Sequence, residues 1–121
     1  MAGEDLRART RDFGLRVIQL VESLPSRRTA HTIGGQLLRA GTSVGANYRS
    51  ACRAKSPADF ISKMGTVEEE LDESVYWMEM LLHAGLVVAN DVEWLMSEAD
   101  ELLAITVASI NTARGGRRGT E

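Results

Sequence analysis

Cysteine, proline and aromatic residues are all scarce in this chain of 121 residues. Its one cysteine, Cys52, cannot form an internal disulfide or a paired-cysteine metal site, so we interpret it as a small buried hydrophobe. No run of about 18 apolar residues occurs, and the charged opening "MAGEDLRARTRDFG" lacks the apolar core of a signal peptide. These absences argue against a disulfide-stabilised or membrane-spanning protein and predict a cytoplasmic one.

The two prolines lie where helices are expected to begin. Pro25 follows a first apolar-periodic run, and Ser56 with Pro57 forms a helix start, with serine as the N-cap and proline at the first helical position. Asn90 and Glu93 have the spacing of a capping box. The sequence therefore predicts four helices, over residues 5–23, 27–54, 57–84 and 91–113.

Apolar residues recur every three or four positions along each of these segments, which is typical of helices with one buried face. The connections are only a few residues long, so consecutive helices should run antiparallel. We predict an all-α fold, an up-down-up-down four-helix bundle, formed by a single domain over residues 1–113. Residues 114–121 contain three arginines and no large apolar side chain, and they predict a flexible basic tail.

Three segments of the chain resemble a known family. "FGLRVIQLVESLP", "QLLRAGTSVGANYRSACRAKSPADFISKM" and "VEEELDESVYWMEML" are similar to the four-helix-bundle family of the 23S ribosomal RNA intervening-sequence protein. The resemblance covers most of the chain and implies a bundle that assembles into a cyclic homopentamer. The family includes accessory proteins of diversity-generating retroelements, so it also implies nucleic acid and a reverse transcriptase as partners. Those relatives are basic, whereas this chain has a net charge of −3.

Charge is distributed very unevenly along the chain. From Arg27 to Lys55 there are six basic residues and no acidic one, whereas Asp59 to Glu101 contains twelve acidic residues and one lysine. The second helix should therefore contact something negative, either a nucleic acid or the acidic helices of this protein.

Helical geometry places the charged residues on particular faces. At about 100° per residue, four arginines of the second helix share its outward side and are our candidates for nucleic-acid binding: Arg28, Arg39, Arg49 and Arg53. Gly41 and Gly45 lie beside the apolar stripe and would let a neighbouring helix approach. On the third helix, glutamates share the outward side with large apolar residues, which is typical of a subunit interface. The interface candidates are Glu69, Glu73, Tyr76, Trp77 and Met80.

No catalytic, metal or cofactor site is predicted. Neither His31 nor His83 has the glutamate three positions earlier that di-iron bundles use, and "TIGGQ" and "RAGTSVG" do not match phosphate-binding glycine loops. We therefore expect a non-enzymatic protein.

Two functions from different classes remain open. One is an oligomeric protein that binds RNA or DNA through the basic face of the second helix. The alternative is an assembly scaffold or adaptor whose charged faces serve its own subunit contacts. The acidic net charge weighs against nucleic-acid binding, and the low aromatic content, with no interleaving of aromatic and basic residues, weighs against a base-stacking platform.

Overall fold

The structure, a computed structural model, describes the backbone of residues 2–119 and the side chains of residues 5–115. That part of the chain forms four helices and no strand: α1 (Ala2–Glu22), α2 (Arg28–Cys52), α3 (Pro57–His83) and α4 (Ala89–Gly119). Each of α1 and α3 contacts both α2 and α4, so the helices surround one core in chain order. Connections of four or five residues reverse the chain between them. The predicted antiparallel four-helix bundle is confirmed.

The helix boundaries agree with the predicted ones to within three residues, except in α4. This helix begins two residues early and continues to Gly119, so residues 114–119, predicted to belong to a loose tail, are helical. The segment contains no proline that would stop a helix. Residues 120 and 121, the end of the predicted tail, lie outside the described part of the chain.

Local hydrogen bonds account for the ends of α3 and α4. The Asp59 backbone N–H donates to Ser56 Oγ at 3.0 Å, which confirms the predicted N-cap. The cap predicted for Asn90 is wrong, because α4 already begins at Ala89 and Asp91 Oδ2 instead accepts from the Val88 N–H at 3.0 Å. Gly85 ends the turn after α3 with φ at 73°, in the left-handed region that glycine adopts without strain.

The core lies between the four helices along the predicted stripes. Its fully buried large side chains include Phe13 of α1, Leu37 of α2, Leu71 of α3 and Leu102 of α4. Cys52 was predicted to be buried but is exposed, because it is the last residue of α2 at the end of the bundle. None of the helices in the described residues is long and apolar enough to cross a membrane.

Small residues of α2 allow α1 to approach closely. A Cβ atom at Gly41 would lie 2.7 Å from Val17 Cγ2, and one at Gly45 would lie 3.4 Å from the Thr10 carbonyl oxygen. The neighbouring helix expected beside Gly41 and Gly45 is therefore α1. This close contact sets the shape of the surface groove between α1 and α2.

Candidate functional site

The four arginines predicted to bind nucleic acid are all exposed, but they do not form one site. Arg39 pairs with α3, whereas Arg49 and Arg53 line a groove between α1 and α2. Arg28 lies near the α1–α2 connection, at the other end of α2. The arginines predicted to share the outward side of α2 therefore face different neighbours, one lying against α3 and two lying beside α1.

Arg39 is held by carboxylates of its own chain. Its guanidinium pairs with Glu70, at 3.4 Å, and with Glu73 of α3. Trp77 also donates its indole N–H to Glu73 Oε2, at 3.1 Å. The Trp77 hydrogen bond, followed by the one from Arg39, lowers the pKa of the Glu73 carboxyl. The second helix was expected to contact either a nucleic acid or the acidic helices of this protein. At Arg39 the partner is an acidic helix of the same chain, α3.

The groove between α1 and α2 brings together arginines that, among the described side chains, are mostly not neutralised by close ion pairs. It has a volume of about 480 Å³ and is bordered by two arginines of α1, one of α2 and Arg53 directly after α2. Small and apolar residues form the rest of its lining. We call this surface the arginine groove, and its lining residues are Arg7, Thr10, Arg11, Gly14, Leu15, Ile18, Thr42, Gly45, Ala46, Arg49 and Arg53.

The guanidinium groups of the arginine groove have few carboxylate neighbours. Among the described side chains, Arg7, Arg49 and Arg53 form no ion pair, and Arg11 has only Asp12, with Nε and Oδ1 3.7 Å apart. Burial raises the pKa of the nearby Tyr48 phenol to about 12, with a hydrogen bond to Cys52 acting in the same direction and the charge of Arg7 opposing them. An anion in this groove would thus meet several positive charges that are not already paired.

The predicted set lacked Arg7 and Arg11, which belong to the groove as much as Arg49 and Arg53 do. The first helix has as many acidic as basic residues up to Glu22, so its overall charge gave no signal. Only the positions of these residues could have indicated the groove, because one face of the first helix carries Arg7, Arg11, Gly14 and Ile18 at helical spacing.

The predicted interface residues of α3 also divide into two groups. Glu69, Tyr76 and Met80 point away from the bundle, with 51% of Tyr76 and 38% of Met80 exposed. Trp77 and Glu73 are half-buried and face α2 through the contacts of Arg39. The two aromatic rings still touch, edge to face, with their centroids 4.9 Å apart. Tyr76 and Met80 are thus the large apolar side chains of the predicted interface that remain exposed.

The contact between α1 and α4 is held by side chains on its outer side. Arg9 forms a two-pronged pair with Glu98, at 2.8 and 2.9 Å, and a further bond with Glu101 at 2.9 Å. These hydrogen bonds raise the pKa of Arg9. The guanidinium carbon of Arg16 lies 4.2 Å from the ring centroid of Trp94, which is 40% exposed. Arg16 and Trp94 are distant in sequence, and their pairing was not predicted.

Within the described residues, no three histidine, cysteine, aspartate or glutamate side chains come together in a way that could hold a metal ion.

A family model and a solved structure each match most of the chain. The family model for the 23S rRNA-intervening sequence protein matches residues 5–108. A crystal structure from Bacteroides thetaiotaomicron, described as a protein with unknown function from the S23 ribosomal protein family, has a TM-score of 0.86 and 29% sequence identity. That match covers 93% of this chain and 100% of the other. No curated protein matches the chain.

Proposed function

This chain belongs to the family of 23S rRNA-intervening sequence proteins, and from that premise we propose that it is a non-enzymatic protein that binds nucleic acid along the arginine groove. The observation that carries this proposal is the convergence of four arginines from two helices on one groove, three of them without an ion pair among the described side chains. Unpaired guanidinium groups bind phosphate oxygens through charge-assisted hydrogen bonds.

The groove explains how an acidic chain can offer a phosphate site. The acidic residues that surround Arg39 lie on α3, whereas the groove lies between α1 and α2. Phosphate binding depends mainly on charges within about 10 Å at ordinary salt, so the local charge matters more than the net charge. We expect affinity on the order of micromolar near physiological salt, the range of contacts that do not read sequence.

Salt dependence tests this function. Binding of a labelled strand of about 16 nucleotides, alone and as a duplex, would be measured by fluorescence anisotropy at several salt concentrations. Affinity should fall steeply with salt, and each of Arg49→Ala and Arg53→Ala should reduce the logarithmic slope by about 0.7 to 0.9, the contribution of one phosphate contact.

Arg39→Ala is the matched control, because it removes the same charge from the same helix outside the groove. It should leave the slope unchanged. Absence of binding at low salt, or an equal loss of slope in the Arg39 variant, would reject the arginine groove as the site.

A second candidate function, self-assembly, rests on a different surface. Tyr76 and Met80 are large apolar side chains exposed on α3 beside Glu69, and such a mixture is typical of a subunit contact. The family resemblance implies a cyclic homopentamer, which would repeat this contact between successive copies. None of the residues that line the arginine groove belongs to α3, so Tyr76 and Met80 are separate from the residues proposed to bind nucleic acid.

A further inference from the structure

The arginine groove continues into an aromatic site on the other side of α1. Leu15, which is 50% exposed, lines both the groove and a neighbouring cavity of about 260 Å³. That cavity is also lined by Arg16 and Trp94, the cation–π pair that connects α1 and α4. A ligand that leaves the groove over Leu15 therefore reaches an exposed indole ring directly.

The chemistry of this second site differs from that of the groove. Two cavities border Trp94. Asp12 lines the cavity of about 260 Å³ that Leu15 shares with the groove, and Asp91 lines a second cavity of about 230 Å³. These carboxylates disfavour a phosphate next to the ring, but they can accept hydrogen bonds from the amino groups of a base. The indole and the guanidinium plane of Arg16 are both surfaces on which bases stack. The cavities thus suit an uncharged aromatic group, and the groove suits phosphates.

We propose that the nucleic acid bound by this protein is single-stranded, with its phosphates on the arginine groove and a base stacked against the Arg16–Trp94 pair. This inference rests on the proposed function and specifies its ligand. In a duplex the bases are paired and stacked on one another, so only an unpaired base can use Trp94. The aliphatic surface of Leu15, at the crossing between the two sites, would contact the sugar and base of the connecting nucleotide.

Stacking of one base adds about 5- to 150-fold in affinity when judged by alanine substitution. The single strand should therefore bind more tightly than the duplex of the same sequence, and Trp94→Ala should weaken single-strand binding by about that factor. Trp94→Phe, which keeps an aromatic face, should retain most of the affinity.

Val107→Ala is the matched control. Val107 is another apolar residue of α4, 39% exposed, about 140° around the helix from Trp94. It should leave the affinity unchanged. In Trp77→Phe protein, Trp94 is the sole tryptophan, since the chain has two, and its fluorescence should be quenched by the single strand but not by the duplex.

Several results would contradict this inference. Equal or tighter binding of the duplex, or single-strand affinity unchanged by Trp94→Ala, would overturn the stacking site while leaving phosphate binding by the groove intact. A fall in oligomer mass caused by Trp94→Ala would instead identify Trp94 as a subunit contact. Absence of binding to either form at low salt would reject the proposed function, and this inference with it.

Discussion

Among single residues, Arg39 illustrates best how neighbouring charges decide which arginines are available to bind phosphate. Its exposed position on α2 suggested a role in binding phosphates, but Glu70 and Glu73 of α3 already pair with it. Arg49, also exposed on α2, forms no such pair among the described side chains and lines the arginine groove. The difference comes from the helix that each arginine faces.

The pKa of Glu73 tests this local network. Because the pKa of Glu73 is lowered in the folded protein, the ionised carboxylate stabilises the fold at pH values above its ordinary pKa of 4.5. This contribution is lost as the pH falls through the folded-state pKa. Trp77→Phe removes the largest cause, so the Glu73 pKa should rise toward 4.5 in an NMR titration. Tyr76→Phe, which leaves the indole donor in place, is the control. A Glu73 that titrates near 4.5 in the unmodified protein would disprove the network.

At the scale of helices, the contact between α1 and α2 depends on the absence of a side chain at Gly41. Val17 is fully buried, and its branched side chain has little rotational freedom. A methyl group at Gly41 would meet Val17 carbon atoms at 2.7 to 3.0 Å. Close helix packing here therefore matters more than helix propensity.

Paired glycine substitutions test this packing. Gly41→Ala gains about 1 kcal/mol in helix propensity but incurs about 1 to 3 kcal/mol of overpacking, so we expect the free energy of unfolding to fall by up to about 2 kcal/mol. Gly65→Ala, in open space on α3, should instead raise it by up to about 1 kcal/mol. Urea denaturation measures both. Equal stabilisation by the two substitutions would show that α1 does not approach α2 closely.

Much of the architecture could be predicted from the sequence, but only part of the candidate site. Apolar periodicity is a local property, so the helices, their stripes and the start of α3 at Ser56 and Pro57 were accessible. Contacts between residues that are distant in sequence could not be predicted in this way. Helical angles identify an outward side of α2, but they cannot show that Arg39 faces α3 while Arg49 faces α1. Trp94 and Arg16 are likewise brought together only by the packing of α1 against α4.

At the scale of the whole molecule, the bundle separates its charged surfaces. The arginine groove lies between α1 and α2, whereas Tyr76 and Met80 lie with Glu69 on the outer side of α3. An assembly in which α3 of one copy docks on a surface of the next copy outside the groove would leave every groove open to a common ligand. Several linked grooves would also bind a long strand more tightly than one groove alone.

Self-assembly can be tested at Tyr76. Light scattering should report a closed oligomer, which we expect to be a pentamer, and Tyr76→Arg should weaken it by placing a charge in an apolar contact. Val107→Arg adds the same charge on α4, at another exposed apolar position, and should leave the mass unchanged. A monomer at micromolar concentration, or equal effects of the two variants, would contradict an α3 interface.

The most direct test of the central claim is to locate the nucleic acid on the protein. A single strand carrying photoreactive bases would be crosslinked to the full-length protein, and the modified residues would be identified by mass spectrometry. Binding along the arginine groove predicts crosslinks in residues 7–18 of α1 and in residues 42–53, at the end of α2 and directly after it, with a further site near Trp94 of α4. Crosslinks confined to α3, or spread evenly over the four helices, would contradict the account.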